Sequence, residues 1–143
     1  HLSACVIDTS TAAPKVYEYP TQAFVVDSKT YYFETKDADE AHFLCALLNA
    51  PCVDAAIKAH QTRGIYHGER DIHRTPFEAC AIPPFDPANA DHVALARLSQ
   101  EAHARVAETP LTGQVVAARR AARAAVEAQI AAIDVIARRV LGL

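Results

Sequence analysis

Methionine and tryptophan are absent from the 143 residues, glycine occurs four times, and aromatic residues make up 7%. Each shortage narrows the reading. Without methionine, and with His1 as its first residue, the chain reads as an excised domain or one whose true start lies upstream. No run of about 18 apolar residues occurs, so no membrane-spanning helix is expected. The opening HLSACVID carries no basic stretch leading into an apolar one, so it does not read as a signal peptide. Cys5, Cys45, Cys52 and Cys80 contain no CxxC pair and no framework of short spacings, so reduced cysteines and a cytoplasmic location are expected. A zinc set of His42, Cys45, Cys52 and His60 fits no structural zinc spacing.

What is present is enough for one core. Apolar residues make up 51% and charged residues 22%, as in a globular domain. The chain is organised around residues 37–87. Asp37 or Asp39 can cap a helix DADEAHFLCALLNAP, with Glu40 in its first turn and Pro51 stopping it. Phe43, Leu44, Leu47 and Leu48 give it a buried face. VDAAIKAH reads as a second short helix. A polar loop follows, QTRGIYHGERDIHRTP, closed by FEACAIPPFDP. A polar loop between two apolar anchors is where function is expected.

The rest of the chain divides by period. CVID, QAFVVD and TYYFET read as strands, with Asp27-Ser28-Lys29 as a hairpin turn, whereas Thr9–Pro20 reads as loop or edge. Thr75–Glu78 reads as a helical turn, and Ile72 as the start of a short strand. Asn89 or Asp91 caps a long helix with the stripe Leu95, Leu98, Ala102 and Val106. Residues 112–141 read as one final helix, in which Val126, Ile130, Ile133, Ala137 and Val140 recur at the spacing of a helix packed along another. The expected class is therefore α+β. A small, mostly antiparallel sheet packs on helices in residues 1–88, and a long antiparallel helical hairpin follows in 89–143.

The net charge of −3 is unevenly spread. Residues 58–74 carry four basic side chains against two acidic ones, with three histidines besides, and residues 114–143 carry five arginines against two acids. Positive charge thus gathers on the central loop and the last helix, where a polyanion would be held.

The order YYFET, the LLNAP helix end, an Arg-Gly loop, IPPFDP and LARLSQEAH carries a family likeness. Over roughly Ala23 to Val106 the chain resembles the C-terminal specificity region of TaqI-like and single-chain restriction-modification adenine-N6 DNA methyltransferases. These regions are in turn similar to the target-recognition domains of type I restriction specificity subunits. The resemblance implies double-stranded DNA as partner, a methyltransferase core in the same parent chain, S-adenosylmethionine as that core's cofactor, and terminal helices acting as a spacer or self-association arm. The residues are compatible with this. Arginine suits a bidentate contact to guanine, and histidine, tyrosine and glutamine suit further contacts or stacking. The expected DNA-binding set is Lys58, Gln61, Arg63, Tyr66, His67, Arg70, His73 and Arg74, with Arg63 and Arg70 as base readers and Lys58 and Arg74 as phosphate holders.

The parts of a methyltransferase that do chemistry are not visible. There is no glycine-rich loop after a strand, and Ile82-Pro83-Pro84-Phe85 lacks the carboxamide or carboxylate that precedes such a run where a flipped adenine is held. No catalytic residue, metal or cofactor is therefore expected within these residues. Two other readings stand beside DNA recognition: a protein-interaction module built on the helical hairpin, and, less favoured, a small metal-dependent hydrolase using His67, Glu69 and His73, whose spacing is not the i, i+4 helical pair of such sites.

Overall fold

The computed structural model describes residues 34–58 and 80–143 in full, and the backbone alone of Leu2–Asp8, Lys15–Thr21, Thr62–Arg63 and Arg70–Asp71. The fully described part is 73% helical and contains no strand.

Helix α1 (Ala38–Asn49) begins where the Asp37 carboxylate accepts the backbone N–H groups of Asp39 (2.9 Å) and Glu40 (3.4 Å). It ends at Ala50, which is extended because the following proline crowds the helical conformation. Pro51 then opens helix α2 (Pro51–Lys58) at a bend of 59°. Phe43, Ala46, Leu47 and Ala50 form the buried face of this region. Leu48, expected inside, is 42% exposed, because a step of five residues from Phe43 carries it off the stripe.

After a turn in which Ala81 takes a positive φ of 44°, the Ile82–Asp86 run lies against the core. Helix α3 (Ala90–Glu108) is capped by Asn89, whose side chain accepts from Asp91 N–H at 2.9 Å. It buries His92, Leu95, Ala96 and Ser99. The final helix expected over residues 112–141 is two helices, α4 (Val115–Ala125) and α5 (Glu127–Leu141), broken at Val126. There the backbone leaves the helical region (φ −115°, ψ 12°), and the Val126 side chain is buried. Helix α5 ends at Gly142, whose left-handed φ of 68° closes the cap that brings Leu143 N–H to the Arg138 carbonyl.

Helices α3 and α5 run antiparallel. Asp91 at the start of one meets Arg139 at the end of the other, with bonds of 2.6 and 2.7 Å. The core lies between α1, α2, α3 and α5, around Phe43, Leu47, Val53, Leu95 and Ile133. The division expected near residue 88 thus has helices of both sides sharing one core. Asp134 of α5 also accepts the Cys52 N–H at 2.6 Å, so it caps the start of α2 from a distant helix.

The α+β expectation is overturned: the packed body is all-helical. Among the described residues strand pairing is confined to two separate two-stranded ladders. β1 (Leu2–Asp8) pairs antiparallel with β2 (Lys15–Thr21), and β3 (Thr62–Arg63) with β4 (Arg70–Asp71). Among the described residues the core is drawn from helices and the Cys80–Phe85 segment, and no strand contributes to it. Neither ladder has, among the described residues, the three strands on which a packed sheet face is normally built. CVID falls inside β1, whereas the Thr9–Pro20 stretch read as loop or edge includes most of β2. Among the described residues β2 pairs only with β1, and an edge strand of this kind accommodates Pro20. The hairpin expected from QAFVVD and TYYFET lies outside the described residues up to Phe33, and its last two residues, Glu34 and Thr35, are not in a strand; the Ile72 strand and the Thr75–Glu78 turn lie outside the described residues. No single described helix is long and apolar enough to cross a membrane.

Candidate nucleic-acid interface and the groove beside it

The expected DNA-binding residues fall into three groups. Lys58 is the last residue of α2, exposed and paired with Asp54 one turn earlier. Arg63 and Arg70 lie on β3 and β4, where the register sets them directly opposite one another. Gln61, Tyr66, His67, His73 and Arg74 lie outside the described residues.

The other concentration of positive charge is on α4. Arg119, Arg120 and Arg123 are all exposed, while Ala118, Ala121, Ala122 and Ala125 on the opposite side are half-buried. Between Glu108 and Glu127 these arginines are the only charged residues. Arg138 and Arg139 on α5 are held by carboxylates instead, Arg138 by Asp134 and Arg139 by Asp91. The Asp91 carboxyl is held below the usual carboxylate range chiefly by its hydrogen bond from Arg139.

Away from these arginines, none of which is among its lining residues, α1, α3 and α5 leave a groove of about 880 Å³. Cys45, Ala46, Val106, Val126, Ile130 and Ile133 supply much of its lining, and no Asp, Glu, Lys or Arg is among the lining side chains. At its edge Ser99, buried in α3, joins two histidines. The His42 ring meets the Ser99 hydroxyl through Nδ1 at 3.1 Å, and His103 Nδ1–H donates to the Ser99 carbonyl at 2.8 Å. The two rings stand edge to face with centroids 5.1 Å apart. Burial pushes the His42 pKa down, the neighbouring His103 adds to this, and Asp39 opposes it.

A serine hydroxyl beside an imidazole has the contact needed for nucleophilic attack. Ser99 is nevertheless buried in mid-helix, where backbone N–H groups are engaged within the helix and none is free to stabilise an oxyanion. The cluster acts as a latch between α1 and α3. Sequence reasoning missed it because His42 and Ser99 are 57 residues apart and neither belongs to a recognisable motif.

Among the described residues no group of three or more His, Cys, Asp or Glu side chains is placed to hold a metal ion. His42, Cys45 and Cys52 are within that set, and His60 is outside it. Cys52 and Cys80 are buried, which raises both thiol pKa values, and Cys45 is half-buried. No protein-family model, curated protein or solved structure matches this chain.

Proposed function

We propose that this chain is the DNA sequence-recognition part of a larger adenine-specific DNA methyltransferase or restriction-modification enzyme. Transfer of the methyl group from S-adenosylmethionine belongs to the rest of that enzyme. The observation that carries the reading is the β3–β4 pairing, which sets Arg63 opposite Arg70. A two-stranded ribbon fits the major groove of B-DNA, and arginine is the commonest reader of guanine there. The test is a binding titration of duplexes by the parent enzyme and its variants. Arg63→Ala or Arg70→Ala should lose about 1–3 kcal/mol for the cognate site and relax the preference at one base position. Unchanged site preference in both variants would refute the assignment.

A second reading, a helical assembly module, is favoured by the groove, whose lining carries no Asp, Glu, Lys or Arg. It predicts a partner helix seated between α3 and α5, and self-association that is insensitive to DNA. Sedimentation of the chain with and without duplex separates the two readings.

A further inference from the structure

We infer that α4 is a phosphate-holding surface, on which Arg119, Arg120 and Arg123 grip the backbone of double-stranded DNA without reading its bases; this rests on the DNA-recognition reading above. Four observations converge on it. At 3.6 residues per turn the three side chains occupy an arc of about 100°, and Arg119 and Arg123 are separated by about 6 Å along the axis. One strand of a duplex presents about two phosphates over that length, at 3.4 Å of rise each. The opposite face of α4 is the half-buried alanine side, so the arginine arc points away from the helical body. No acidic residue lies within α4, and none of the three arginines forms an ion pair among the described residues.

Arg138 is paired with Asp134 one turn earlier in α5, and Arg139 joins α5 to α3 through Asp91. Among the described residues the α4 arginines hold no partner in the fold, and α4 buries no residue fully. Guanidinium groups fit phosphate bidentately, which favours a polyanion over a single small anion. An anionic membrane surface is the other polyanion of this kind. A helix lying in a membrane needs an exposed face of large apolar residues, but here the face opposite the arginines is alanine turned toward the protein. Val116, 68% exposed, is the one large apolar residue within the arginine arc.

The test compares the parent enzyme with R119Q/R120Q/R123Q, R119K/R120K/R123K and, as a charge control elsewhere, R97Q. Each is titrated with fluorescein-labelled cognate and unrelated duplexes across a salt series, and separately with phosphatidylserine-containing vesicles. Circular dichroism and thermal melting check that each variant folds. The glutamine variant is expected to weaken both duplexes alike, by at least about tenfold at low salt, and to make the log–log salt slope shallower by about 0.9 for each contact removed. The lysine variant should keep most of the slope, and R97Q should match the parent. A glutamine variant with the parent's affinity and slope would overturn the α4 assignment while leaving DNA recognition intact. If the glutamine variant does not fold, a lysine variant that shifts site preference would equally overturn it. A parent that binds no duplex at any salt would overturn DNA recognition itself and the α4 inference with it. Arginine-dependent binding to vesicles without binding to duplexes would overturn both in favour of a membrane surface.

Discussion

Two side chains show how single residues join distant parts of the chain. Asp134 reaches from α5 to cap α2 at Cys52 and also accepts from Arg138. Burial alone would raise its pKa, but the hydrogen bonds from Cys52 and Arg138 outweigh that and lower it. Asp134→Ala removes a helix cap and should cost about 1–2 kcal/mol in denaturant unfolding. A midpoint unchanged from the parent would show that the cap contributes nothing. Phe43 is 0% exposed and packs against His92 and Phe85, with ring centroids at 4.5 and 5.5 Å. Truncating Phe43 to alanine leaves a cavity among these rings and should cost about 3–5 kcal/mol. His42 behaves differently, since its value is set by solvent exclusion and a like neighbour. Its folded-state pKa lies below its unfolded value of 6.5, so the unfolded chain binds the proton more readily. The stability involved is present above pH 6.5 and is lost as pH falls through the lower folded value. Thermal melting between pH 7.5 and 5 should show this loss, and His42→Gln should flatten that part of the profile.

At the scale of elements, the helices differ in what they bury. α1, α3 and α5 each present a stripe of three or more core residues, and α2 adds Cys52, Val53 and Ile57, whereas α4 has no fully buried residue. Substitution in α5 should therefore damage the body, whereas substitution on the outer face of α4 should leave it standing. Ile130 is half-buried at the floor of the groove between α3 and α5. Ile130→Asp places a carboxylate among apolar neighbours and should cost several kcal/mol, about 2–5, seen as a lowered melting temperature. Equal melting of variant and parent would mean that α5 does not depend on that contact. The break at Val126 follows the same logic. An uninterrupted helix 112–141 would continue the alanine-rich period, but ending α4 at Ala125 lets α5 restart with Gln129, Ile133 and Ala137 on the core side.

For the whole molecule the relevant quantity is charge set against an overall net of −3. Such a chain has no general attraction for DNA, so the proposed binding rests on local clusters. Taken alone, it should bind duplex weakly at low salt and lose that binding near physiological salt, because each phosphate contact releases counterions. Tight, salt-insensitive binding in a fluorescence titration would contradict the proposed function. Acid should also loosen the helical body in stages. His42 acts first below pH 6.5, and Asp134 and Asp91 act only below the usual carboxylate range, because their folded values are lowered and their stability is lost as pH falls through them.

The sequence by itself determined the local stops and starts. Asp37 and Asn89 were each legible as one of two candidate caps, Pro51 as a helix boundary, and Leu95, Leu98, Ile133 and Ala137 as core, because capping and periodicity act over a few residues. It also showed where positive charge gathers. It misled on class: β-prone residues such as Val6 and Ile7 indicate strands, but not whether those strands join one sheet or reach the core. The tertiary structure alone decided that α1, α2, α3 and α5 share one body, that Val126 divides the last helix, and that His42 meets Ser99 across 57 residues. It also separated the C-terminal arginines into two kinds, Arg138 and Arg139 bound to carboxylates and Arg119, Arg120 and Arg123 turned outward. The physical reason is common to all of these. Burial, ion pairing and cavities depend on which surfaces meet, and those meetings join residues tens of positions apart that local spacing cannot connect.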